Sequence, residues 1–267
     1  MAIDFQKKDQ YTMEDLLAIM NILRSPEGCP WDREQTHESI RKNFLEETYE
    51  AVEAIDSRDP VLLREELGDV LLQVVFHARM EEEQGGFTFD DVCDGVCKKL
   101  VLRHPHIFGD VEASTSQEVL KNWDAIKKEE KKQETFTDSL NSVPRVLPAL
   151  MRSSKVQHRA ARAGFDFADA CQALECVPRE TQELQEAMQG KNEQEIEEEL
   201  GDLLFSVVNV ARLSGLDAEE CLTRASDKFI RRFSKVEELA KEKDLPMPGT
   251  SMEELDQLWQ EVKVNDR

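Results

Sequence analysis

Eight carboxylates, in two sets of four, are the residues whose types and spacing could do chemistry. Glu47 and Glu50 stand three apart, as do Glu66 and Asp69, and the same types return as Glu180, Glu183, Glu199 and Asp202 at a constant offset of 133 residues. Helical residues three or four apart share a face, so each pair aims two acids in one direction. An ordinary amphipathic helix keeps its acids opposite its apolar stripe. Here Asp69 is followed by Val70-Leu71-Leu72 and Asp202 by Leu203-Leu204-Phe205, which places at least part of that turn against a core. Carboxylates there lose hydration and repel one another unless a positive charge compensates. Four acids from two neighbouring helices suit a hard divalent cation with oxygen ligands, Mg²⁺ before Ca²⁺ or Zn²⁺, with Mn²⁺ as a substitute. A solvated acidic face is the simpler alternative, and its repetition at identical spacing weighs against it.

The elements that position these acids repeat with them. Glu65 to Val75 reads E-E-L-G-D-V-L-L-Q-V-V, and Glu198 to Val208 reads E-E-L-G-D-L-L-F-S-V-V. A repeat this long, in register across a gap, marks a duplicated domain. The chain has 267 residues, which suits two domains of ordinary size. We expect an all-α fold of two tandem homologous helical bundles, at 1–132 and 144–267, with a linker at 133–143 after the charged run at 127–132. In the first half, helices are expected at about 13–24, 36–57, 60–84, 88–103 and 115–132, with a loop from Ser25 to Asp32. In the second, they are expected at about 144–162, 169–189, 193–214, 218–243 and 252–263. Thr12, Asp59, Thr88, Asn192, Asp217 and Ser251 are the expected N-caps, and Gly190 and Gly215 the expected stops. Gly68 and Gly201 lie mid-helix, where glycine costs on the order of 1 kcal/mol relative to Ala; their recurrence suggests close helix packing beside the acids.

With 56 acidic and 34 basic residues the formal net charge is −22. That excludes a duplex nucleic-acid or anionic-membrane binder, which needs a basic face. A phosphate substrate stays open, because a bound metal reverses the local field. The six cysteines form no C-x-x-C pair and read as reduced core thiols, and the five histidines read as structural. The start of the chain has no signal-peptide pattern and no apolar run reaches spanning length, so the expected location is the cytoplasm. There is no P-loop, Gly-rich dinucleotide fingerprint or Ser-His-Asp spacing.

Glu46-Glu47-x-x-Glu50 followed by Glu66-x-x-Asp69 resembles the MazG family of nucleoside triphosphate pyrophosphohydrolases. Three further landmarks carry the resemblance over nearly the whole chain: Cys29-Pro30-Trp31-Asp32, Arg103-His104-Pro105-His106, and Asp227-Lys228-Phe229-Ile230-Arg231-Arg232-Phe233. The resemblance implies Mg²⁺-dependent hydrolysis of nucleoside triphosphates, ATP among them, to monophosphate and pyrophosphate. Glu180, Glu183, Glu199 and Asp202 would hold metal, with Glu180, Glu198 and Glu199 carrying the catalysis and Glu198 orienting water. Lys228 and Arg232 would bind phosphates, and Trp259 would stack on the base. The first copy offers Glu47, Glu50, Glu66 and Asp69, with Lys99 and Arg103 as its basic pair. Where the first copy has Glu46, the second has Arg179, which could reach a phosphate or could signal a weakened site. The second copy is the expected main site, and a homodimer is expected. A helical nucleotide- or metal-binding module without turnover is the alternative.

Overall fold

The computed structural model describes residues 5–115, 118, 119, 122, 123, 126 and 135–266. All regular structure among the described residues is helical, and no helix there is long and apolar enough to cross a membrane. The chain forms two compact units, Met1–Lys127 and Lys128–Arg267. The expected helix at 115–132 lies largely outside the described residues.

The first unit contains α1 (Met13–Leu23), α2 (Pro30–Glu34), α3 (Arg41–Ser57), α4 (Pro60–Glu83), α5 (Phe89–Arg103) and α6 (Pro105–Phe108). Thr12 and Asp15 form the expected capping box at the start of α1, as Thr88 and Asp91 do for α5. The loop expected from Ser25 to Asp32 tightens into α2 from Pro30 onwards. Residues 36–40 form turns rather than the expected first turn of α3. Each of Thr36 and Ser39 accepts the other's backbone N–H on its hydroxyl, a local alternative that competes with helix. The core gathers Met20, Ile40, Val75, Phe76 and Met80. Fully burying such side chains contributes about 1.5–3 kcal/mol each. Three of the five lie in the second half of α4, whereas Glu66 and Asp69 lie in its first half. Part of the turn after Asp69 faces this core, as expected: Leu72 packs against it, whereas Val70 is half-buried and Leu71 is exposed. At the core end, His37 and His77 bring their Nδ1 atoms to 2.7 Å with 7° between ring planes. His37 Nε2 is also 3.0 Å from Glu81 Oε1. Loss of hydration, with His37 nearby, holds the His77 pKa below its ordinary value.

The second unit contains α7 (Phe136–Asn141), α8 (Ala149–Arg162), α9 (Ala170–Leu174), α10 (Cys176–Gly190), α11 (Glu193–Leu213), α12 (Ala218–Glu242) and α13 (Met252–Asn265). The helix expected over 169–189 is split at Glu175, and the one expected from 144 begins only after Pro148. Within the stretch expected as linker, α7 is folded onto α8: Arg159 donates to the Ser139 carbonyl and, at 2.6 Å, to Ser142 Oγ, and Val143 is buried. One core joins Val236 and Ala240 of α12 to Leu258 and Val262 of α13, with Trp259 packed on it.

Each acid-bearing pair, α3–α4 and α10–α11, is joined by two residues, which forces the helices to run antiparallel as neighbours. Arg58 (φ 56°, ψ 32°) and Lys191 (φ 55°, ψ 30°) occupy the left-handed region, followed by Asp59 and Asn192 at nearly identical extended angles. The stop after α10 is therefore Lys191, with Gly190 still helical, whereas Gly215 (φ 71°) takes its expected place after α11. Asp59, Asn192, Asp217 and Ser251 all cap as expected, and Ser251 closes a full box with Glu254. Two other expectations are corrected. A Cβ on Gly68 or Gly201 would meet nothing within 4 Å, so neither glycine serves close packing within its unit. None of the six free cysteines is buried, so they are not core thiols.

Candidate active site

Helix pairing brings the acids together twice. In the first unit, one carboxylate oxygen from each of Glu47, Glu66 and Asp69 lies within 4.8 Å of the others, and in the second the same holds for Glu180, Glu199 and Asp202. The fourth acid of each set stands beside its triad. Glu50 hydrogen-bonds Glu66 and helps to raise its pKa, after loss of hydration, with Asp69 and Glu65 adding to the effect. The Glu47 pKa is raised by loss of hydration first, then by Asp69, Glu50, Glu66 and Glu46. That of Glu199 is raised by loss of hydration, then by Glu183, Asp202, Glu198 and Glu180. These are the marks of carboxylates crowded together with too little positive charge.

The donor set fits the divalent cation that the acids suggested. All the candidate ligand atoms are hard carboxylate oxygens from two paired helices. Glu199 Oε2 is buried and meets no hydrogen-bond donor, an acceptor left for a cation to satisfy. Arg179 does not complete an acidic quartet. Its Nη2 is 3.1 Å from Glu180 Oε1.

The basic pairs occupy equivalent helical positions. Counted from their N-caps Thr88 and Asp217, Lys99 and Lys228 both stand eleven residues on, and Arg103 and Arg232 fifteen. Lys99 and Lys228 are exposed. Arg103 lies 5.9 Å from the Trp123 ring, an aromatic partner in the first unit that sequence reasoning missed. Arg232 is engaged by Asp266: its Nε is 2.9 Å from Asp266 Oδ2, and Lys235 Nζ is 2.9 Å from Asp266 Oδ1. With Arg231 also contributing, these cations hold the Asp266 carboxyl far below the usual range. Trp259 leans on Phe229 at 5.2 Å and on the α12–α13 core, which anchors it in packing.

Beside the second cluster opens a cavity of about 640 Å³, with Arg179, Glu180 and Asp202 among the residues lining it. Its lining also includes Phe167, Gln157 and Asn209, none of which sequence reasoning singled out. Gln157 is buried, donates to the Phe205 carbonyl at 2.7 Å and leaves Oε1 without a partner. A lone amide mid-helix carries no motif, so only the three-dimensional arrangement could reveal it.

Comparison with known proteins finds the same duplication at the level of the domain. The MazG nucleotide pyrophosphohydrolase domain matches residues 35–108 and again 171–237, spans that include both sets of acids. The chain is 47% identical over 254 residues to a nucleoside triphosphate pyrophosphohydrolase of Escherichia coli K12, covering 94% of this chain and 97% of that protein. It is 44% identical over 253 residues to the nucleoside triphosphate pyrophosphohydrolase/pyrophosphatase MazG of Thermotoga maritima, covering 95% and 96%. A nucleoside triphosphate pyrophosphohydrolase of Mycobacterium tuberculosis is 43% identical over 153 residues, covering 57% of this chain and 45% of that protein.

Proposed function

The chain belongs to the MazG family of nucleotide pyrophosphohydrolases, with the family's domain present twice, and from that premise we propose that its second unit hydrolyses nucleoside triphosphates to monophosphate and pyrophosphate with Mg²⁺. The observation that carries this reading is the convergence of Glu180, Glu199 and Asp202 with an unpartnered buried oxygen on Glu199. Glu180, Glu183, Glu199 and Asp202 would hold the cation. When bound, it supplies charge neutralisation for phosphate oxygens and a more acidic water.

The chain's own residues do the rest. Glu198, next to a ligand on α11, orients the attacking water and accepts its proton. Attack falls on the α phosphorus, its bond to the α–β bridging oxygen breaks, and pyrophosphate leaves with that oxygen. Lys228 holds a phosphate as a point charge, and Arg232 as a fork once released from Asp266. The cavity beside Glu180 and Asp202 gives the nucleoside an apolar wall with amide groups. The first unit's Glu47, Glu50, Glu66 and Asp69, with Lys99 and Arg103, form a second cation and phosphate site of the same design.

The test is a panel of ribo- and deoxyribonucleoside triphosphates with Mg²⁺ in ¹⁸O-labelled water. Pyrophosphate is expected as product, with one ¹⁸O in the monophosphate. Orthophosphate with a nucleoside diphosphate, or label in pyrophosphate, would overturn attack at the α phosphorus.

A further inference from the structure

The two acidic clusters share spacing and backbone but differ in one charge. Immediately before the first ligand the first unit has Glu46 and the second has Arg179. Glu46 pairs with Lys42 one turn earlier, at 3.1 Å. Arg179 instead pairs with the ligand itself, Nη2 lying 3.1 Å from Glu180 Oε1. The Glu180 side chain is only 14% exposed and that of Arg179 is 65% exposed, so the carboxylate is fixed and the guanidinium can swing. Both residues line the cavity that reaches Asp202. A guanidinium keeps its charge and forks onto carboxylate or phosphate oxygens. While Arg179 holds Glu180, it opposes a cation on the same oxygens.

We infer that Arg179 is a positioning residue that couples cation and nucleotide binding at the second site. It competes with a free divalent cation for Glu180. When a nucleotide arrives, Arg179 moves to a phosphate oxygen and leaves the carboxylate to the cation. Because binding coupling is reciprocal, each ligand tightens the other, and the second site selects the cation–nucleotide complex over the free cation. The first unit, with Glu46 in that place, takes a free cation without this competition. The inference deepens the function proposed above and rests on it.

Mn²⁺ binding to the full chain carrying Glu66→Gln and Asp69→Asn, which removes the first cluster, tests the coupling. Titrations are run by electron paramagnetic resonance with and without an α,β-methylene nucleoside triphosphate. Arg179→Gln is expected to tighten Mn²⁺ alone about two- to fivefold, the size an exposed ion pair supports, and to shrink the analogue's effect on Mn²⁺ by the same factor. Arg179→Lys restores part of the coupling. Asp202→Asn, added to the same protein, tells the two claims apart. If Asp202→Asn abolishes Mn²⁺ binding while Arg179→Gln leaves it unchanged or weaker, the coupling is wrong and the site stands. If Asp202→Asn binds Mn²⁺ as its parent does, the site itself is wrong and the coupling falls with it.

Discussion

Glu199 has one buried oxygen without a donor and a carboxyl pKa raised by lost hydration and by four neighbouring acids. A group whose folded pKa is raised contributes stability that is fully present below its unfolded value, about 4.3, and lost as pH rises through the folded value. In metal-free protein at neutral pH, Glu199→Gln should therefore melt at or above the parent, and Asp202→Asn should do the same by removing one of the charges that crowd Glu199. For Glu199→Gln the difference should close as pH falls towards 4. Saturating Mg²⁺ should reverse the order, because only the parent gains binding free energy in the folded state. Turnover by Asp202→Asn should fall on the order of a hundredfold or more. Calorimetry with and without Mg²⁺, alongside steady-state rates, checks all three; parental rates with unchanged melting would leave an ordinary acidic surface. The acids were legible in the sequence because their spacing repeats. The engagement of Arg232 was not, since its partner Asp266 lies 34 residues away and no local pattern joins them.

At the scale of elements, helix ends follow caps more faithfully than periodicity. The six polar side chains at Thr12, Asp59, Thr88, Asn192, Asp217 and Ser251 start helices where their chemistry says. The turn between the acid-bearing helices was legible only in part. Asp59-Pro60 announced the second helix, but a left-handed stop written with Arg58 and Lys191 carries no glycine to mark it. These adjacent residues should respond with opposite signs. Asp59→Ala removes an acceptor for the Val61 and Leu62 N–H groups and should cost about 1 kcal/mol. Arg58→Gly removes a Cβ from the left-handed region and should gain about 0.5–1 kcal/mol. Denaturant melts of the two variants measure both; destabilisation by Arg58→Gly would mean that its side chain matters more than its backbone.

For the molecule as a whole, exposed apolar side chains recur at matching places in the two units. Leu67 and Leu71 are exposed on α4, as are Leu200 and Leu204 at the same places on α11. Leu100 and Val101 on α5 match Phe229 and Ile230 on α12, and all four are exposed. Apolar faces that recur in both units, beside Gly68 and Gly201 with open space above them, suit a second copy of the chain. Light scattering at micromolar concentration should give the mass of a homodimer, and Leu204→Glu should shift it towards the monomer; a monomer for the parent would count against this assembly. These faces were legible as apolar runs, but a helical pattern alone does not say whether the cover comes from the same chain or another. The matched turns at Arg58 and Lys191 carry a different consequence. Residues 47–69 and 180–202 are equal in length and bend through nearly the same angles, so positions 133 apart occupy corresponding places on the two hairpins. A substitution at an acid of one hairpin therefore has a defined counterpart 133 residues away in the other, so each unit supplies a built-in control for the other.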